Sequence, residues 1–409
     1  MKTYIKYFSW LFLFVLLLSS GLRIPYIIQV LVPMVLMVVS FMISKELKLF
    51  VIKDNRILYL WMVISAVYLL VSLFEVNYRD YFELKQYANT FPTVAALAPM
   101  ILCFTQKKII FDVIRVIKKY YIVAIIPLFL SGMAYWQFLL VYTTPLILLT
   151  VFWSRLTNKI KITLIFLFIN TLLFMEARAS IFKWIIAIFC AYLIYSRFIC
   201  NKKYISVICH SLMITPIILL VLGLTNIFNI FDFESYMPSF IDSHLTFEQK
   251  QELYADTRSD IYENDIMSSV MHNSITFGRT PAHYATVSMD WGEAMMNSVM
   301  NNNERKSEVG ILSIYAWFGL LGGILYMAIF YKAFFLSYYR SNNIYVKSLG
   351  VFVCFYWLLS WIEIIPQIDI MYCMFLMILG ICYSKDFREM TNIEFNQYLK
   401  SLLKKNLIR

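Results

Sequence analysis

Long apolar runs, interrupted by short polar segments, occupy most of the chain. A helix that crosses a membrane needs roughly 20 apolar residues, and about 17 at the least. The pattern therefore predicts an all-α polytopic membrane protein with about 12 transmembrane helices. We place these spans at 6–22, 24–44, 57–74, 91–105, 120–136, 138–153, 160–176, 180–198, 204–228, 308–331, 344–364 and 368–384.

One long hydrophilic stretch separates the ninth span from the tenth. The pattern thus divides the chain into N-terminal transmembrane helices over 1–228, an external loop over 229–307, C-terminal transmembrane helices over 308–384 and an amphipathic tail over 385–409. The loop is rich in aromatic residues, which a flexible linker lacks. We therefore expect it to fold, partly as helix, against the membrane domain.

Composition and charge agree with a membrane location. Hydrophobic residues make up 61% of the chain and charged residues 15%, against about 45–50% and about 25% in soluble domains. With both termini in the cytoplasm, most of the 36 Lys and Arg residues and few of the 25 Asp and Glu residues fall on the cytoplasmic side, as the positive-inside rule requires. The membrane therefore explains the net charge of +11, and no nucleic-acid partner is needed.

Two basic stretches carry apolar residues at helical spacing, and both suit helices that lie on a membrane surface. They cover residues 107–119 and 391–409, and Thr391 with Glu394 in the second has the spacing of a capping box. The simpler interpretation is that these charges only anchor the topology.

Cap spacings within the loop predict two helices, over about 247–255 and 258–271. In the second helix Arg258, Tyr262 and Asp265 share one face. A turn marked by Gly278 and Pro281 follows. The chain then re-enters the membrane through a helix whose glycines are expected to allow close packing on its neighbours; they are Gly310, Gly319, Gly322 and Gly323.

The motifs that bind nucleotides or metals are missing from the sequence. It has no GxGxxG, no P-loop, no HExxH and no Asp-x-Asp pair, and its seven cysteines form no Cys-x-x-Cys site. If the protein is an enzyme, we expect it to use no cofactor and no metal.

The architecture and three short segments resemble the O-antigen polymerase and ligase superfamily. The segments are EARAS (176–180), TRSDIYENDI and NSITFG within 257–278, and SEVGILSIYAWFGLLGG (307–323). The resemblance implies a metal-independent glycosyltransferase of a bacterial inner membrane whose external loop lies in the periplasm. Its substrate would be an oligosaccharide repeat unit linked to undecaprenyl pyrophosphate, and its partners would be a chain-length regulator and a flippase of the same pathway.

The polymerase is favoured over the ligase because ligases carry a His-Asn pair just before the loop-exit helix. Here that place reads NNNERKSEVG (301–310), and His272-Asn273 lies about 35 residues earlier. A ligase that transfers the polysaccharide to lipid A–core stays the alternative. A flippase or other transporter is disfavoured, because the two halves show no matching repeat.

The chemistry of a lipid-pyrophosphate leaving group indicates cationic site residues, because guanidinium groups bind phosphate bidentately. We predict Arg178 and Arg258 as catalytic clamps and Glu308 as the base or its orienting group. Each has a simpler interpretation. Arg178 would anchor a helix at the membrane interface, and Arg258 or Glu308 would form an ordinary surface ion pair.

Five further residues are predicted to bind substrate. They are Arg305, Arg279, Lys183, His272 and Tyr262. His272 is a second candidate for the base that activates the acceptor hydroxyl. The simpler interpretations are a structural loop histidine and cations that anchor the membrane rim.

Overall fold

A computed structural model describes residues 2–18, 26–76, 78, 81–130, 146–173, 178–225, 227–229, 257–286, 304–305, 307–362 and 366–403. Within these ranges the chain is α-helical apart from short turns and one two-stranded ladder. The helices are α1 (Lys2–Leu18), α2 (Tyr26–Glu46), α3 (Arg56–Glu75), α4 (Tyr81–Cys103), α5 (Lys107–Leu130), α6 (Asn158–Leu173), α7 (Arg178–Tyr195), α8 (Lys202–Leu224), α9 (Thr257–Met271), α10 (Gly310–Tyr339), α11 (Ile344–Ser360), α12 (Ile370–Tyr383), α13 (Lys385–Glu389) and α14 (Asn392–Leu403).

Four segments of the described chain are long and apolar enough to cross a membrane: Tyr26–Glu46, Lys53–Glu75, Lys202–Leu224 and Gly310–Tyr339. Helices α4 and α5 add a fifth candidate if they are counted together, although they meet at 109°. The predicted membrane location is thus confirmed in its coarse form. The predicted number of about 12 spans is not confirmed, since the described residues contain four or five candidates.

Short, buried helices account for part of the difference. Helix α12 has 14 residues, which is about 21 Å of helix, against a hydrocarbon core of about 30 Å. Nearly all its side chains are buried inside the protein, and α11 is similar with 17 residues. An apolar run looks the same in the sequence whether the helix is covered by protein or by lipid. Short helices covered by protein are therefore easily taken for full membrane spans.

Some predicted boundaries need correction, and others lie outside the described residues. Helix α5 runs from Lys107 to Leu130, so the basic stretch 107–119 and the apolar residues after it belong to one helix. Residues 131–145, where the fifth predicted span meets the sixth, are not described. The same holds for the predicted loop helix over 247–255.

An aromatic core forms where α10 packs along α11 and reaches α3. The Trp61 ring lies 5.3 Å from Phe318 and 5.8 Å from Tyr326, measured between centroids. Phe330 lies 5.4 Å from Trp357. Since aromatic side chains bury large apolar areas, this cluster fixes α10 as the central helix of the described chain.

The closest helix crossings use glycines other than those the sequence singled out. A Cβ on Gly350 of α11 would lie 2.0 Å from the Ser337 hydroxyl of α10. One on Gly380 of α12 would lie 2.4 Å from Phe104. By contrast, Gly323 has no atom within 4 Å of its Cβ position. Small residues at 350 and 380 therefore allow the backbones to approach, whereas Gly323 makes no such crossing.

Segments from four parts of the chain meet at one end of the molecule. Arg388 Nη2 donates to Asp54 Oδ2 at 2.6 Å, and Arg340 Nη1 lies 3.8 Å from Asp54 Oδ1. The Asn343 side-chain amide donates to the carbonyl of Phe387 at 2.8 Å, and the Ser384 hydroxyl donates to a carbonyl of residue 105 at 2.6 Å. The charge pattern predicts all these segments to be cytoplasmic, and the structure groups them together. The compartment itself stays a prediction.

The tail helix does not lie free on a membrane surface. The predicted capping box forms, because the Thr391 N–H donates to Glu394 Oε2 at 2.8 Å and the Glu394 N–H to Thr391 Oγ1 at 3.2 Å. However, Phe395 is buried and stacks on Tyr345 at 5.2 Å. The Tyr398 hydroxyl donates to a carbonyl of α5 at 2.9 Å. Protein covers the apolar face of α14 that a helix lying on a membrane surface would present to lipid.

Candidate functional site

The predicted loop helix over 258–271 is confirmed as α9, and its end is shaped by a left-handed residue. Asn273 has φ of 51°, its N–H donates to the Val270 carbonyl at 3.1 Å, and the Ser274 N–H donates to Ser269 at 2.8 Å. This is the Schellman arrangement, which closes a helix and turns the chain. His272-Asn273 therefore serves first as a helix terminus.

Helix α10 is broken at Gly319, which has φ of 62° and ψ of −158°. A continuous helix would bond the N–H of Leu320 and of Leu321 to the carbonyls four residues before them. The loop turn over 275–280 instead supplies hydrogen-bond partners for these two N–H groups and for the two carbonyls. The Leu320 and Leu321 N–H groups donate to Ile275 and Thr276 at 2.9 and 3.2 Å. In return, Ala316 and Trp317 accept from the N–H groups of residues 279 and 280 at 2.7 and 3.1 Å.

This exchange leaves the broken helix with its backbone groups satisfied, which a buried kink requires. It also fixes the loop to the membrane domain through backbone rather than side chains. Two side-chain contacts reinforce this attachment. The Thr280 hydroxyl donates to the Glu75 carboxylate, and the Tyr284 and Thr90 hydroxyls lie 3.1 Å apart.

Two predicted residues meet next to the docked turn. Arg279 Nη1 donates to the Tyr284 carbonyl at 2.8 Å and to Thr286 Oγ1 at 2.9 Å. His272 Nε2 lies 3.0 Å from the same Thr286 oxygen. The Thr286 N–H is held by the Ser268 hydroxyl of α9 at 2.9 Å. A guanidinium and an imidazole thus share one hydroxyl, and we call these three residues the His272–Thr286–Arg279 cluster.

The two-stranded ladder brings a third predicted residue to this cluster. Strand β1 (Ala285–Thr286) pairs antiparallel with β2 (Glu304–Arg305), with Ala285 opposite Arg305 and Thr286 opposite Glu304. The ladder closes the loop and places the Arg305 backbone beside the cluster, while Glu308 follows three residues later with an exposed side chain.

A groove of about 420 Å³ runs along another side of α9, where this helix faces the ends of α8 and α11. Its walls are mostly apolar, with Leu219, Leu220 and Ile266 among them. Tyr262 also lines it, and the tyrosine hydroxyl donates to the Trp361 carbonyl at 2.6 Å. Tyr262 therefore ties the loop helix to the membrane domain at the wall of the groove.

The remaining predicted residues are distributed over the fold. Arg178 begins α7 and Arg258 is the second residue of α9, and only their backbones are described. Lys183 is 6% exposed and lines a cavity of about 30 Å³ with Tyr356, Met374 and other residues of the helical core. Its charge is therefore inside the helical domain rather than on the surface. Of the eight predicted residues, the structure brings His272, Arg279 and the Arg305 backbone together.

Several residues of the site carried too weak a signal to be found in the sequence. Thr286 and Ser268 are ordinary loop and helix residues, and only the fold makes them the partners of His272 and Arg279. Glu75 and Thr90 are distant in sequence from the loop residues they contact. Gly319 did carry a signal, but it was interpreted as a packing glycine rather than as a helix break.

The described chain is thus a helical protein with four or five candidate membrane spans and one docked loop. No protein-family model, curated protein or solved structure matches it.

Proposed function

We propose that the protein is a membrane glycosyltransferase that polymerises oligosaccharide repeat units carried on undecaprenyl pyrophosphate, at the periplasmic face of a bacterial inner membrane. The product is O-antigen or a related surface polysaccharide. The supporting observation is the His272–Thr286–Arg279 cluster, held on a backbone-docked loop, with an apolar groove along the same loop helix.

The groove and the cluster suit the two parts of such a substrate. Met267 lines the groove and His272 belongs to the cluster, five residues or about 7.5 Å farther along the helix axis. An isoprenoid chain needs an apolar surface, and its pyrophosphate needs fixed cations. Arg279 supplies a guanidinium whose position is set by two hydrogen bonds, and such preorganisation stabilises charge that develops in a transition state.

In this reaction the acceptor hydroxyl oxygen attacks the anomeric carbon of the donor chain. The bond from that carbon to the pyrophosphate oxygen breaks, and the bonding electrons leave with the lipid pyrophosphate. The hydroxyl proton passes to a base, for which the exposed His272 is the candidate. Arg279, with Arg258 and Arg305 as further cations, would balance the charge on the leaving group.

The surface polysaccharide of a deletion strain tests the proposal. Loss of a polymerase leaves lipid A–core that bears a single repeat unit, and the ladder of longer chains disappears. Loss of a ligase instead leaves core with no attached sugar chain while long lipid-linked chains accumulate, and that result would contradict the proposal. Complementation with the Arg279→Ala variant is expected to restore no ladder although the protein reaches the membrane.

A further inference from the structure

A second groove, of about 640 Å³, lies between α6 and α7 and beside the 3-10 turn Trp153–Arg155. It shares no lining residue with the groove along α9, and no loop residue lines it. Aromatic side chains form much of its wall, namely Trp153, Phe168, Trp184, Tyr192 and Tyr195. The surface residues Ile165 and Ile188 of its rim are exposed, so the groove opens on the outer, apolar surface of the helices.

The groove is polar at one end and apolar along its length. Lys161 lines it near the start of α6, and its ammonium lies 5.6 Å from the centre of the Trp153 ring. Phe168 follows seven residues later on α6, which is about 10 Å along the helix. There its ring packs on Trp184 at 5.8 Å. This gradient fits an amphiphile with an anionic head at Lys161 and a hydrocarbon chain beyond it.

Two buried polar atoms in the wall specify the ligand further. Trp184 Nε1 and Thr150 Oγ1 have no hydrogen-bond partner among the described residues, and both side chains are at least 97% buried. Buried donors are nearly always satisfied in native proteins. Both residues line the groove, so a small rotation of either side chain would bring these groups to an acceptor in the buried part of a bound molecule.

We propose that this groove binds an anionic glycerophospholipid of the surrounding bilayer. The lipid phosphate pairs with Lys161, an ester carbonyl accepts from the Trp184 N–H, and a second carbonyl accepts from the Thr150 hydroxyl. One acyl chain lies along Leu164 and Phe168. A polyprenyl phosphate has the same head charge but no acceptor in its hydrocarbon chain, so the two buried donors favour the ester lipid. This site is independent of the proposed polymerase activity.

Native mass spectrometry of the full chain, released from detergent micelles with added lipid, tests the proposal. The probes are phosphatidylglycerol, its diether analogue without ester carbonyls, and phosphatidylcholine with the same chains. Wild-type protein should retain the diester phosphatidylglycerol about fivefold to a hundredfold better than the diether, the range of two hydrogen bonds. In the Trp184→Phe variant, which keeps the ring and loses the N–H, this preference should fall by about threefold to tenfold, because only the bond to Thr150 remains.

The headgroup contact has its own matched pair of variants. Lys161→Gln should lower the preference for phosphatidylglycerol over phosphatidylcholine, whereas Lys159→Gln should not, because Lys159 is exposed and does not line the groove. If Trp184→Phe does not fold, Thr150→Val tests the second buried donor in the same way. Equal retention of diester and diether by the wild type would overturn the proposal. So would displacement of phosphatidylglycerol by an equal concentration of undecaprenyl phosphate.

Discussion

Gly278 of the loop and Gly319 of α10 meet backbone to backbone. A Cβ on Gly278 would lie 2.5 Å from the Gly319 nitrogen, and one on Gly319 would lie 2.5 Å from the Gly278 nitrogen. Both residues also have positive φ, 75° and 62°, a region that other residues enter at a cost. The loop is therefore joined to the membrane domain at a point where neither chain tolerates a side chain.

Replacing either glycine should release the loop. In Gly319→Ala the backbone conformation, with φ of 62° and ψ of −158°, is one that essentially only glycine adopts and costs about 1–3 kcal/mol, and the methyl group collides with the docked turn. Closing the helix by its ordinary bonds then becomes the better arrangement. We expect rapid trypsin cleavage after Arg279 and loss of polymerised product, and Gly278→Ala should behave similarly.

Gly323→Ala is the matched control, because its Cβ meets no atom within 4 Å and alanine favours a helix by about 0.5–1 kcal/mol. It should leave the cleavage rate and the polysaccharide ladder unchanged. A Gly319→Ala variant with wild-type protection at Arg279 would show that the docking does not depend on the absence of a side chain.

The shared hydroxyl of Thr286 should be required for activity. Thr286→Val removes the atom that Arg279 and His272 both contact, while the shape of the side chain is kept. General-base catalysis is worth about 100-fold or more, so mispositioning the imidazole should lower the rate of polymerisation at least tenfold. Rates would be measured on membranes that contain equal amounts of each variant.

Thr286→Ser supplies the control, since it retains the hydroxyl and loses only a methyl group. It should keep most of the activity. Equal rates for the Val and Ser variants would remove the cluster from the catalytic account and leave it a structural feature of the loop.

Asp54 should contribute strongly to stability. Arg388 is 4% exposed and its Nη2 lies 2.6 Å from Asp54 Oδ2, so Asp54→Asn leaves a buried charge without its counter-ion. Breaking a buried pair on one side costs about 3–5 kcal/mol. The comparison is Glu389→Gln, which breaks an exposed pair with Lys385 and should cost at most about 1 kcal/mol.

Thermal unfolding with a thiol-reactive dye measures this difference, because six of the seven cysteines are buried. Asp54→Asn should unfold at a clearly lower temperature than Glu389→Gln. Similar unfolding temperatures for the two variants would mean that solvent reaches the Arg388 pair in solution.

The start of the tail helix should weaken in acid. Hydrogen bonds from the backbone N–H and then the hydroxyl of Thr391 hold the pKa of Glu394 below its ordinary value. A lowered pKa in the folded state means that the stabilisation is complete above the ordinary glutamate pKa of about 4.3. It is lost as the pH falls through the lowered value.

Hydrogen exchange over 391–403, expressed as protection factors, would show this loss. Protection should be constant from neutral pH down to about pH 5 and should fall in stronger acid. In Glu394→Gln, where no carboxyl titrates, the acid-dependent part should be absent. A wild-type loss of protection already at neutral pH would contradict the assignment to Glu394.

Local patterns predicted the parts of the fold that depend on nearby residues. The cap spacing at Thr257 predicts α9 within one residue, and the box at Thr391 and Glu394 forms as expected. Both predictions rest on a spacing of three residues, which a sequence displays directly. The number of membrane spans did not follow, because apolar runs such as Ile370–Tyr383 are covered by protein.

The site shows the same limit. His272 and Arg279 could be proposed from their residue types, but their common partner Thr286 is recognisable only after the loop has folded. The break at Gly319 depends on a turn about 40 residues earlier in the chain, since that turn supplies the missing hydrogen-bond partners. Contacts between residues this far apart in the chain follow no fixed spacing, so a single sequence does not reveal them.

Reconstitution with the native substrate distinguishes a polymerase from a ligase directly. Lipid-linked single repeat units would be extracted from the deletion strain and mixed with the purified chain in liposomes without any lipid A–core acceptor. A polymerase should give a ladder of longer lipid-linked chains and release one undecaprenyl pyrophosphate per unit added, with neither product from Arg279→Ala. Single repeat units that stay unextended with the wild-type chain, but are transferred once lipid A–core is supplied, would contradict it.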